Sequence, residues 1–225
     1  NVRLYSDLLG LLGKESNGLA QTEIGMNFPI HRRNQTNHFC YFLSNLSLNF
    51  QLSKFDEKFN TTNVTLDTNL SRSDLLQRSW LNTELKLNVW SFPFQKKKQN
   101  QLSVNLITGF SLSNIGNFND TSTAASPFAG ISLDISLRSS KNFGMNFFLK
   151  GYNQFLPSKS DLKYGDSKWI LAPEVELSFN PYNKPGNKIF ARTKYFGVEG
   201  DDAFWQLQVG YTISFSELKY DKIYK

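Results

Sequence analysis

Two histidines, His31 and His38, are the residues of this 225-residue chain best suited to proton transfer near neutral pH. They stand seven positions apart with no acidic residue between them, so the HExxH spacing of a zinc hydrolase is absent. The single cysteine, Cys40, allows no internal disulfide and no thiolate pair. Its setting, Phe39-Cys40-Tyr41-Phe42, is that of a small packed residue rather than an activated nucleophile. Asp201 with Asp202, and Asp161 with Asp166, offer at most weak chelation, and solvated loop acids are the commoner reading. Gly197, Glu199 and Gly200 read as a turn between strands and not as a phosphate loop. Asn60, Asn63 and Asn69 begin Asn-X-Ser/Thr triplets, which a segment rich in Asn and Thr produces by chance. No catalytic residue, metal site or cofactor is therefore expected.

The elements that would position such residues are strands. No run of about 18 apolar residues exists, so no transmembrane helix is expected; hydropathy leaves β-barrels open because their strands alternate. Alternation is clearest over Ala129–Arg138, where Ala129, Ile131, Leu133, Ile135 and Leu137 share one face. It recurs from Val104 to Leu112, from Trp169 to Phe179 and from Trp205 to Phe215. About ten strands are predicted, with eight to twelve compatible with the pattern, near residues 2–12, 18–30, 39–54, 79–94, 101–113, 127–138, 142–155, 167–180, 187–197 and 202–216. Short turns follow the even-numbered strands. Longer polar segments, among them 54–77, 113–127 and 157–168, follow most odd-numbered ones. This asymmetry and the even count predict an all-β, antiparallel up-and-down transmembrane barrel over 1–216, with both termini at the short-turn side and a short tail over 217–225.

The apolar rows have the length of a membrane band. From Trp169 to Phe179, and from Trp205 to Phe215, an aromatic residue opens and closes a row ten residues long. At ~3.3 Å per residue and ~45° tilt each row covers roughly 23 Å, close to the ~25 Å apolar band of such barrels. These four aromatics are the expected interfacial residues. Trp80 and Trp90 have the opposite parity to Leu81, Leu85 and Leu87, so they face the lumen or lie beyond a bulge.

The polar rows predict an interior. A turn centred on Lys184 sets Glu176 opposite Arg192 and Glu174 opposite Lys194, favourable cross-strand pairs. The same parity elsewhere collects Arg3, Asp7, Glu23, Glu84, Lys86, Asp134, Arg138 and Lys150, six basic and six acidic residues in all. Such balance predicts a charge network across a lumen; the alternative is a mixed-charge outer surface around a soluble core.

The last strand resembles the closing strand of bacterial outer-membrane proteins, in which aromatic and aliphatic residues alternate and end on Phe. Trp205-Gln206-Leu207-Gln208-Val209-Gly210-Tyr211-Thr212-Ile213-Ser214-Phe215 follows that pattern, although ten residues continue beyond it. The abundance of Asn, Lys, Phe and Ser resembles proteins of the Bacteroidota. The resemblance implies a Gram-negative outer membrane, with lipid and lipopolysaccharide as neighbours; the formal charge of +6 suits an anionic surface. Basic residues are scattered except at Arg32–Arg33 and Lys96–Lys98, both in predicted turns, so no nucleic-acid partner is expected. Barrel hydrolases of that membrane (omptin proteases, lipid A deacylases, the outer-membrane phospholipase) place a His near the outer loops. Here both histidines fall in a short turn on the other side. The expected function is a non-enzymatic structural or anchoring subunit of an outer-membrane complex. The 54–77 loop and the Lys219–Lys225 tail would offer partner surfaces on opposite sides. A small selective channel is the alternative; a hydrolase or a soluble ligand-binding barrel ranks below both.

Overall fold

A strand that alternates apolar and polar residues satisfies its backbone only by pairing on both sides, and a ring of such strands leaves no edge. The computed structural model describes residues 1–8, 20–30, 41–54, 62–63, 76–94, 100–117, 120–138, 142–155, 167–181 and 187–215. Its strands are β1 (Val2–Asp7), β2 (Ala20–Pro29), β3 (Tyr41–Phe42), β4 (Asn45–Lys54), β5 (Thr62–Asn63), β6 (Ser79–Phe94), β7 (Asn100–Asn117), β8 (Asp120–Leu137), β9 (Phe143–Phe155), β10 (Ser167–Phe179), β11 (Asn187–Val198) and β12 (Phe204–Ile213). Two of these, β3 and β5, are two-residue additions to β6 and β7. The other ten form a closed antiparallel up-and-down barrel. Closure comes from β1 against β12, Val2↔Ile213 through Asp7↔Gln208. Following the register once round the ring returns to β1 displaced by about 14 residues, which for ten strands sets a tilt of roughly 45°.

Most predicted strands agree with the structure to within about three residues at each end, and three departures are larger. The segment 113–127, read as a loop, continues the β7–β8 hairpin from Ser113↔Ala124 to Asn117↔Asp120. Its Ser, Asn and Thr residues contain no apolar row, and strand pairing without an apolar face leaves no periodic mark. The predicted strand 39–54 is broken at Leu43, whose φ of 45° lies in the left-handed region. That kink separates β3 from β4 and lets Ser44 donate to Asn88 Oδ1 at 2.6 Å inside the barrel. The first strand ends at Asp7, and residues 9–12 lie outside the described residues.

The register decides the two tryptophans of β6. It shifts between Asn88 and Trp90, so Trp90 falls opposite Val104 on the outer face and stacks on Phe92, 6.2 Å away. Ser91, fully buried, takes the inward position. Trp90 therefore sits beyond a bulge, and Trp80 falls within a second irregularity between Ser79 and Leu81.

The two faces are distributed inside-out relative to a water-soluble barrel. Leu4, Ile24, Leu106, Leu149, Leu171, Leu177 and Ile189 point outward and are exposed, with Ile131 at 59%. Gln208, Glu176 and Arg192 point inward and are 0%, 3% and 3% exposed. Trp169 and Trp205 stand exposed on the outer face at the end carrying the long connections; Phe179 and Phe215 do so at the short-turn end. Phe143 packs on Phe179 at 4.7 Å and Tyr195 on Trp205 at 4.8 Å, thickening the two aromatic rims.

Candidate functional site in the barrel lumen

Inward residues come from every second position of ten tilted strands, so distant parts of the sequence meet at one height. The lumen is layered along its axis. At the long-loop end Ile107, Phe128, Tyr152, Ile170, Ala172 and Val198 form a buried apolar cluster, joined by Leu76 and Phe196. Ionic groups fill the middle. Polar cavities occupy the short-turn end.

The ionic layer contains two chains of pairs. In the first, Arg3 Nη1 contacts Glu176 Oε2 at 2.9 Å and Glu23 Oε1 at 3.7 Å. Arg192 Nη1 contacts Glu23 Oε2 at 3.2 Å and Glu174 Oε1 at 3.6 Å, and Lys194 Nζ reaches Glu174 Oε2 at 3.5 Å. Arg192 Nε donates to Gln208 Oε1 at 2.8 Å, whose amide donates to Gln21 and Gln206. The Arg192 guanidinium also lies over the Tyr5 ring, 4.7 Å from its centroid, and over Phe190 at 5.4 Å. The second chain runs from Lys150 to Glu84 at 2.6 Å, from Glu84 to Lys86 at 3.9 Å and from Lys86 to Asp134 at 3.0 Å. Asn105 donates to Asp134 and Ser132, and Asn88 donates to Asn105.

Of the predicted network, Glu174, Glu176, Arg192, Lys194, Glu84, Lys86 and Asp134 thus belong to these two chains. The predicted register holds, with Glu174 opposite Lys194 and Glu176 opposite Arg192. The contacts are redistributed: Glu176 is held by Arg3, from across the lumen, while Arg192 turns to Glu23 and Glu174. Long side chains in a narrow ring reach past their ladder partner, so register alone does not set the pairing. Arg138 stands apart from both chains near the short-turn end, where its backbone N–H donates to Asn100 Oδ1 at 2.8 Å.

The apolar cluster was not foreseen. Its members sit on the polar parity, and two glycines make room for its rings. A methyl group on Gly109 would meet the Thr83 carbonyl and the Phe128 ring; one on Gly130 would meet the backbone of Gly151 and Tyr152. Phe128 and Tyr152 pack at 5.1 Å over these two positions. A bulky inward aromatic next to a polar-parity glycine on the neighbouring strand is the sequence signal that would have revealed it.

Chemically, this interior neutralises charge. Five carboxylates and five cations are paired in the two chains, and each carboxylate has a cation within 4 Å. Among the described residues no group of His, Cys, Asp and Glu is arranged to hold a metal ion. His31, His38, Cys40, Asp161, Asp166 and the tail 217–225 lie outside the described residues. The larger cavity, about 610 Å³, is lined mainly by Asn and Ser side chains, with Lys86 and Asp134 at its inner end. In comparisons with known proteins, the sequence matches no family model and no curated protein.

Proposed function

We propose that the chain is an integral barrel of a Gram-negative outer membrane and a non-enzymatic, anchoring subunit of a protein complex there. The observation that carries the membrane reading is the inverted distribution of faces: an apolar belt bounded by aromatic rims outside, and paired charges inside. Water would disfavour such a belt by roughly 25 cal/mol per Å² of apolar surface, whereas lipid accommodates it. A soluble ligand-binding barrel would turn these rows the other way. The anchoring role is supported by the obstruction of the lumen, whose long-loop end is closed by packed rings and whose middle is crossed by paired charges, so that its polar cavities end blindly at the short-turn side. Cross-linking in intact outer membranes followed by purification tests this; the expected result is recovery with a defined partner, and recovery alone would remove the subunit role. In detergent gels the folded chain is expected to migrate differently before and after boiling, and a detergent-free soluble monomer would refute the membrane reading.

The 610 Å³ polar cavity favours a second reading, a small selective channel, because it already occupies part of the lumen. Its inner end abuts the Lys86–Asp134 pair, and the apolar cluster lies beyond that layer. Planar bilayers are accordingly expected to show no steady porin-like conductance; large, frequent single-channel openings would favour the channel instead.

A further inference from the structure

The larger cavity, about 610 Å³ at the short-turn end, is built mainly from uncharged polar groups: nine of its fourteen lining residues are Asn or Ser. Among the described residues that line it, the only ionised side chains are Lys86 and Asp134. They contact each other at 3.0 Å, so the lining side chains carry no net charge. The strand ladders fix which side chains point inward. Ser47 faces Lys86 across β4 and β6, Asn27 faces Ser47 across β2 and β4, and Asn45 and Asn49 share the parity of Ser47. Met26 and Phe28 have the opposite parity and stand exposed on the outer belt, so they border the cavity by their backbone. The two walls differ. On β6, β7 and β8 the polar groups satisfy one another: Ser44 donates to Asn88 at 2.6 Å, Asn88 to Asn105 at 2.9 Å and Asn105 to Asp134 at 3.0 Å. On β2 and β4, Ser47 donates to Asn27 at 3.1 Å, whereas the half-buried side-chain amides of Asn45 and Asn49 have no hydrogen-bond partner among the described residues. Gly25 keeps the space beside Asn49 open, since a methyl group there would lie 2.9 Å from Asn49 Oδ1.

We propose that this cavity binds a neutral polyhydroxylated molecule of one or two sugar rings. A side-chain amide offers two donors and a carbonyl acceptor in one plane, and neighbouring sugar hydroxyls both donate and accept, so one amide can hold two of them. Hydroxyls also reproduce the hydrogen bonds of the water they displace from Asn45 and Asn49, so that exchange loses little. Other classes fit less well. A lining without net charge gives no preference to a simple anion or cation. A zwitterion would have to open the Lys86–Asp134 pair, leaving buried charges to be satisfied again. An aliphatic or aromatic ligand would take the amides out of water without replacing their hydrogen bonds. The cross-linked wall is already ordered by its own contacts, so it orients a ligand with little further loss of freedom. The volume equals about twenty water molecules and falls within the roughly 300–1,000 Å³ of small-molecule sites. The inference goes beyond the anchoring role and stands on the geometry of the lumen alone.

The test uses the full chain refolded in a polyoxyethylene detergent, because a maltoside detergent would itself present a sugar. Glucose and maltose are titrated, and binding is followed by saturation transfer from protein methyl protons to the sugar protons. Thermal midpoints are the wrong readout here, since sugars stabilise folded proteins generally by exclusion from their surface. Saturable transfer to at least one of the two sugars is expected. Asn49→Leu, which removes the amide and keeps a side chain of similar size, should raise the half-saturating sugar concentration about tenfold or more. Asn45→Leu, at the start of β4, should raise it severalfold and keeps the test decisive if Asn49→Leu does not fold. Absence of saturable transfer to either sugar would overturn the proposal. So would an equal half-saturating concentration in the wild type and a folded variant, which would place the sugar on another surface. Displacement of the bound sugar by glycine betaine would overturn it as well, because the Lys86–Asp134 charges and not the neutral amides would then recognise the ligand.

Discussion

Replacing Gly130 by alanine is expected to cost about 3 kcal/mol or more and to remove most of the heat-modifiable folded form, because the added methyl group meets backbone rather than a movable side-chain end. Strands β8 and β9 would have to separate at the Gly130↔Tyr152 pair, where the Phe128 and Tyr152 rings pack at 5.1 Å. Gly109→Ala should behave alike, since its methyl group meets the Thr83 carbonyl. The neighbouring Gly151 supplies the control. It lies opposite Ile131 on the outer face, and a methyl group there meets nothing within 4 Å. Gly151→Ala should therefore leave stability within about 0.5 kcal/mol of wild type. Urea unfolding in micelles measures all three. If Gly151→Ala proved as damaging as Gly130→Ala, the packing of rings over glycines inside the lumen would be wrong.

The second large effect concerns Arg192. Its guanidinium lies between two carboxylates, Glu23 at 3.2 Å and Glu174 at 3.6 Å, and over the Tyr5 ring. Arg192→Met would leave both acids facing each other with one cation fewer, in a site only 3% exposed. Removing one partner of a buried pair costs about 3–5 kcal/mol, most of it from the charge left behind. Adding Glu174→Gln should recover part of that loss, because it removes one of the stranded charges. A double-mutant cycle separates register from contact. Arg3 and Glu176 should couple by about 1 kcal/mol or more, and Arg192 and Glu176 by less, although the latter pair faces each other across β10 and β11. Stronger coupling for Arg192 with Glu176 would mean that the ladder partner, and not the cross-lumen partner, holds the carboxylate.

Alternation made most of the fold legible. Where one face of a strand is apolar, as from Trp169 to Phe179, period two and the row length mark both the strand and its outward side. The bounds of β6 were read without error for the same reason, and the Glu174↔Lys194 register followed from complementary charges on one face. Legibility failed where the physical contrast failed. The outer part of the β7–β8 hairpin carries small polar residues, so its pairing has no signature in the sequence. The bulge at Asn88–Trp90 inverts parity through backbone geometry, and side-chain types alone left Trp90 with two readings.

By itself, then, the sequence determined an antiparallel barrel of about ten strands, which parity holds the charges, and the aromatic residues that end the apolar rows. These are local properties, written in residues two apart and in strands joined by a turn. Tertiary structure alone decided that Arg3 rather than Arg192 holds Glu176, that rings lying over Gly109 and Gly130 fill the long-loop end, and that Asn45 and Asn49 border one cavity with the Lys86–Asp134 pair. Each depends on which residues meet across the lumen. Closure and strand tilt set those meetings, and no spacing along a single strand records them.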